Sequence, residues 1–162
     1  ALESARGGIG LSSSAMSWFV IAMQVGMWFG YVSFGFLADA IGRKRSYVLF
    51  VLAASVLLPL YGFIKEPAIL LVLGPLVAFF GTGYYSGFGA VIVELYPTSV
   101  RATAAGVCYN TGRIASAAAP FIVGSLAASS GFFAAFAVAG FAFFVAAIMW
   151  IWIPETRNAE LQ

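Results

Sequence analysis

The sequence predicts an all-α, multi-spanning membrane protein with five transmembrane helices. Three observations carry this. Hydrophobic residues make up 62% of the 162 and charged residues only 9%, against roughly 45–50% and 25% in soluble domains. The apolar residues gather in long stretches of about 20 or more, the length of a helix that crosses a bilayer. Those stretches lack strand-like alternation and are too long for barrel strands, so helices are the remaining way to satisfy a backbone in lipid.

The spans read as 14–38, 46–64, 67–93, 102–128 and 131–153. The first carries Gln24 near its middle, with Trp28 one turn on. An amide in hydrocarbon wants a partner, so Gln24 reads as cavity-lining. Gly26 and Gly30, and later Gly83 and Gly87, stand one helical turn apart and let neighbouring helices approach closely. Pro59, Pro75 and Pro120 lie inside spans, where each removes a helix hydrogen bond and can bend the axis. Tyr84 and Tyr85 fall at mid-depth of the third span; either can line a cavity or pack with its hydroxyl satisfied. The aromatic run 132–144 reads as packing or lipid-facing surface.

The connections differ in charge. Segment 40–45 holds Arg43, Lys44 and Arg45, segment 94–101 holds Arg101, and the tail after Pro154 holds Arg157. The opposite side has Arg6 and Lys65. The positive-inside rule then puts the C-terminus in the cytoplasm and the N-terminal end outside, in a cell membrane.

Composition also excludes functions. A water-soluble enzyme of this size could not hide so much apolar surface. The chain has no histidine and one cysteine, Cys108, which removes histidine-based catalysis, histidine- or cysteine-ligated metal and an internal disulfide. A net charge of +2 from scattered residues does not point to nucleic acid. No covalent chemistry, metal or organic cofactor is expected. The chain opens on Ala1 without a secretory signal, and it reads as part of a longer polypeptide.

Arg113 lies inside the fourth span, roughly 17 Å along the helix and near mid-bilayer. Its insertion there costs about 2.5–3.5 kcal/mol, so it must face the bundle interior or a cavity and meet an anion. Helical spacing sets Ser99, Thr103, Gly106, Asn110, Arg113 and Ala117 on one polar, small-residue stripe. Two roles fit Arg113. It can bind an anionic substrate, with Asn110 helping, or it can pair with a carboxylate from a part of the polypeptide not present here.

Between the first two spans, Gly35, Leu37, Asp39, Gly42, Arg43 and Lys44 stand in the order of the G-x-L-a-D-x-x-G-R-[KR] signature. The order has a physical sense. An acid at the C-terminal end of a helix is disfavoured by the dipole and wants a cation. Gly42 allows a tight turn, and the bases pin the loop inside. Glu94, Tyr96, Pro97, Arg101 and Gly106 match E-x-[FY]-P-x-x-x-R-x-x-x-x-G. Pro154, Glu155, Thr156 and Arg157 match a PET[KR] ending. With these three, in order and at the right distances, the chain resembles the C-terminal part of a major facilitator superfamily transporter, helices eight to twelve of twelve. Tyr109, Asn110, Gly112 and Arg113 further resemble a stretch of sialate/lactate-type symporters and, more loosely, of aromatic-acid symporters.

The resemblance implies proton-coupled uptake of a small organic anion by alternating access. Monocarboxylates, sugar acids and aromatic acids all fit. Its partners would be substrate, protons, the lipid bilayer and the missing N-terminal half. Substrate contacts would come from Arg113, Asn110, Gln24 and Tyr85. Asp39, Arg43, Glu94 and Arg101 would form a charge cluster that holds one access state. Two alternatives stay open: a neutral sugar transporter of the same superfamily, and a self-contained five-span membrane protein that does not transport.

Overall fold

The computed structural model describes residues 13–156. Among them there are helices and turns and no strand. In order they are α1 (Ser13–Ile41), α2 (Arg43–Phe63), α3 (Pro67–Gly83), a 3₁₀ turn at Tyr84–Gly87, α4 (Phe88–Leu95), α5 (Arg101–Ser116), α6 (Ala119–Met149) and a 3₁₀ turn at Trp150–Trp152. The tail and leader charges Arg157 and Arg6 lie outside the described residues.

Four helical stretches are long and apolar enough to cross a membrane: Ser14–Ile41, Arg43–Phe63, Pro67–Leu95 and Arg101–Trp152. The two final spans read at 102–128 and 131–153 fall within one helical stretch. The last stretch runs 52 residues, roughly 78 Å if straight, more than twice the bilayer core. It is interrupted twice. Pro120 has no N–H for the carbonyl four residues back, and α5 stops at Ser116. At Gly131 the backbone turns to φ 84°, ψ 168°, outside any helix. The break follows Ser129 and Ser130, at the boundary between the spans read at 102–128 and 131–153.

The helix directions follow from which residues meet. Gly26 abuts Pro75, Gly30 abuts Phe79, and Gly87 abuts Phe34, so α1 and the α3–α4 rod run parallel. Phe34 packs on Tyr47 and Phe50, and Phe50 on Phe79 and Phe80, so α2 runs against both. Phe133 meets Phe63, Phe136 meets Tyr61, and Trp150 stacks on Tyr47, so residues 132–149 also run antiparallel to α2. Phe88 faces Tyr109, while Ile92 and Val93 face Arg101 and Ala102 across a shared cavity. Helix α5 therefore runs against α4, and the chain reverses again between α5 and residue 132.

The two glycine pairs do what their spacing predicts. A methyl on Gly83 would stand 2.8 Å from the Gly30 carbonyl, and none could enter between Gly26 and the Pro75 backbone. Gly35, the first residue of the signature, has no heavy atom within 4 Å of where its side chain would be. The core gathers near one end, from Phe34, Ala38, Tyr47, Phe50 and Val91. Helix α5 has no buried residue at all.

The basic loop expected at 40–45 is also corrected. Helix α1 continues to Ile41 and α2 starts at Arg43, so Gly42 alone makes the turn. Its φ of +105° is a conformation that side-chain-bearing residues avoid. Arg43, Lys44 and Arg45 form the first turn of α2.

Candidate functional site

Two places concentrate polar chemistry. The first joins four chain segments at one end of the bundle. Helix α2 begins there with no side-chain cap of its own at Gly42 and no acid in its first turn. Basic residues at a helix N-terminus are opposed by the dipole and leave N–H groups unmet. Glu155 supplies what is missing. Its carboxylate accepts the backbone N–H of Arg43 at 2.8 Å and, more weakly, that of Lys44 at 3.4 Å. The same approach explains Gly42: a methyl there would lie 2.5 Å from a Glu155 oxygen. Lys44 Nζ donates to the Ile151 carbonyl at 2.7 Å, and tethers the same tail.

The Arg43 guanidinium bridges outward. It ion-pairs with Asp39, one turn back at the end of α1, and with Glu94 near the end of α4 at 3.3 Å. Glu94 also accepts from the Thr156 hydroxyl. The Arg43 and Glu94 side chains are largely shielded, 19% and 14% exposed, whereas Asp39 is 72% exposed. The Glu94 pair is the better shielded from solvent, whereas the Asp39 pair is the shorter.

The structure thus brings together Asp39, Arg43 and Glu94 but not the fourth expected member. Arg101 donates to the Tyr96 carbonyl at 3.3 Å, and among the described residues no acid pairs with it. The five-residue connection 96–100 turns α5 away, so Arg101 belongs to the foot of α5 and not to the cluster. Sequence reasoning gave no role to Glu155 and Thr156. The available signal was the acid immediately before Thr156 in a tail following the last apolar run.

The second place is the seam between α4 and α5. Arg113 lies in the last turn of α5, where the negative end of the helix dipole favours a cation. Its Nη1 donates to the Tyr109 hydroxyl at 3.3 Å, and its guanidinium carbon stands 5.6 Å from that ring's centre. No carboxylate pairs with it among the described residues. Asn110 turns its amide back to the Gly106 carbonyl at 2.8 Å, so it does not touch Arg113 here. Tyr85 is 56% exposed and stacks on Tyr84 at 4.8 Å. One turn beyond Tyr85 is Phe88, whose ring is 6.4 Å from that of Tyr109. Tyr85 itself touches neither Tyr109 nor Arg113 through any ring contact or hydrogen bond among the described residues. Gln24 is exposed on α1, and no hydrogen bond of its side chain ties it to this seam.

Long apolar helices closed by a charge cluster at one end define a multi-pass membrane protein. The model of the Major Facilitator Superfamily matches residues 2–161, and the chain belongs to that superfamily. Among its relatives is a protein of Haemophilus influenzae named for metabolite transport, 36% identical over 143 residues. The alignment covers 88% of this chain and 34% of that protein. The cis,cis-muconate transport protein of Acinetobacter baylyi is 30% identical over 87% of this chain and 34% of its own length. The niacin transporter NiaP of the same organism is 29% identical over 89% of this chain and 33% of its own. The chain spans about a third of the length of the curated relatives it matches.

Proposed function

We propose that this chain forms the last five membrane crossings of a secondary transporter that carries a small organic anion into the cell with protons, by alternating access. The observation that carries the reading is Arg113. A guanidinium set roughly 18 Å along α5 is held only by a phenol hydroxyl and a ring face among the described residues. A fixed positive charge at that depth calls for an anion, and its planar fork suits a carboxylate. The relatives named for muconate and niacin carry cargo of that chemistry. A neutral sugar would not need the charge.

The rest of the polypeptide supplies the other wall of the path and the proton-carrying acid. The reversal at Gly131 separates the fourth crossing from the fifth, and the end bearing Arg43 to Arg45 faces the cytoplasm. The cluster of Asp39, Arg43 and Glu94 latches the state in which that end is closed. Arg101 stands beside it as a topogenic charge.

The test is uptake by the full-length polypeptide, with its amount in the membrane measured alongside. Arg113→Gln abolishes saturable uptake of organic anions while membrane level stays near normal. Arg113→Lys keeps the charge, loses the fork, and raises the half-saturating concentration about tenfold or more. Normal anion binding by Arg113→Gln with loss of proton coupling alone would move Arg113 from the substrate to a relay pair.

A further inference from the structure

We infer that residues 150–156 form a strap that lifts locally from the start of α2, and that the buried hydroxyl of Tyr47 beneath it biases the strap toward lifting. The inference stands on contacts within this chain and holds whatever the cargo is.

The strap is tied down along its length by side chains. At its start Trp150 stacks on Tyr47, with ring centres 4.0 Å apart and planes 16° from parallel. Lys44 Nζ then holds the Ile151 carbonyl at 2.7 Å. At the far end Glu155 accepts the Arg43 N–H at 2.8 Å, and the buried Thr156 hydroxyl donates to Glu94. Residues 153–156 belong to no helix. A segment held by a few such contacts, with no ladder of its own, opens well before the helices it lies on.

Tyr47 supplies the force that opposes docking. Its side chain is 3% exposed and walled by Phe34, Tyr84 and Trp150. Its hydroxyl has no hydrogen-bond partner among the described residues. The cation one turn earlier is already engaged, since Arg43 donates to Asp39 and Glu94. The burial comes from this chain's own side chains, so a further segment laid outside them cannot reach the oxygen while the strap is down. A phenylalanine would make the same ring contacts with no polar atom to desolvate. An unpartnered buried donor disfavours the state that buries it by about fivefold or more. When Trp150 lifts, water reaches the hydroxyl. The same motion uncaps the Arg43 amide and releases Glu94 from Thr156. The Tyr47 hydroxyl therefore works against Glu155, and the junction is balanced between two states instead of locked in one.

Hydrogen exchange at the amides of Arg43 and Lys44 reads the lifting directly, because Glu155 is their acceptor. It is measured residue by residue in the full-length protein in lipid nanodiscs, together with the thermal midpoint. In the wild type these two amides exchange faster than that of Ala54, inside α2. Tyr47→Phe slows them about fivefold or more and raises the midpoint. Glu155→Ala speeds them with either residue at position 47, and Trp150→Leu speeds them as well. Unchanged or faster exchange in Tyr47→Phe, or a lower midpoint, overturns the bias assigned to the hydroxyl. Exchange at Arg43 as slow as at Ala54, or indifferent to Glu155→Ala, overturns the strap itself. Neither outcome bears on the organic-anion reading, which stands or falls by uptake in the Arg113 variants.

Discussion

Glu155 accepts the backbone N–H of Arg43 at 2.8 Å, across 112 positions of sequence. The N-terminus of α2 is capped by the tail of the protein and not by its own preceding residue. This one bond ties the last described residues to the turn that joins the first two helices. Removing a carboxylate cap costs about 1 kcal/mol, enough to shift a two-state equilibrium about fivefold. In the full-length protein, Glu155→Ala slows uptake two- to fivefold with membrane level preserved, and Glu155→Gln is intermediate. An unchanged rate in the alanine variant rejects the cap as part of the latch.

The cluster has an internal ranking. Glu94 is shielded and holds two partners, Arg43 and Thr156, whereas Asp39 is open to solvent. An exposed pair is worth at most about 1 kcal/mol. Uptake rates therefore fall in the order Arg101→Ala least, Asp39→Asn next, Glu94→Gln most. Each protein still inserts. A larger loss from Arg101→Ala than from Glu94→Gln would restore Arg101 to the cluster.

The seam between α1 and α3 rests on missing side chains. Gly83 faces the Gly30 carbonyl with no room for a methyl, and overpacking of this kind costs roughly 1–3 kcal/mol. Gly83→Leu lowers the thermal midpoint in detergent by several degrees. Gly35→Ala, at a position with open space, leaves it within a degree. Equal midpoints for both variants would show that the seam tolerates separation.

A chain that holds one wall of a path does not move solute alone. The 162-residue protein in liposomes shows no saturable uptake of organic anions above empty vesicles. Co-expression with the remaining two thirds of the polypeptide recovers it. Uptake by the isolated chain would overturn the partial-transporter reading.

Much of this was legible in sequence because membrane helices are written in length and apolarity. The glycine pairs announced close helix approaches but not which helices meet, since one-turn spacing of residues without side chains names no partner. Asp39 and Arg43 were legible as one turn apart at a helix end. Glu94 was legible by charge but not by partner, because 51 positions separate it from Arg43. Glu155 escaped because nothing local distinguishes a capping acid from a solvated tail acid. Arg101 was legible by its motif but not by its partner, the Tyr96 carbonyl, since a motif says nothing of where residues 96–100 aim it. The break at Gly131 was legible as the boundary between spans 102–128 and 131–153, though not as a single positive-φ glycine in place of a loop.

The bond between Arg43 and Glu155 also sets a clock for biosynthesis. When α2 leaves the ribosome, its N-terminal amides have no acceptor until the tail follows 112 residues later. At about 5–20 residues per second, that wait is roughly 6–22 seconds. For that interval the turn at Gly42 is held by inserted helices and lipid alone. A nascent chain that stops short of Glu155 leaves the first turn of α2 uncapped.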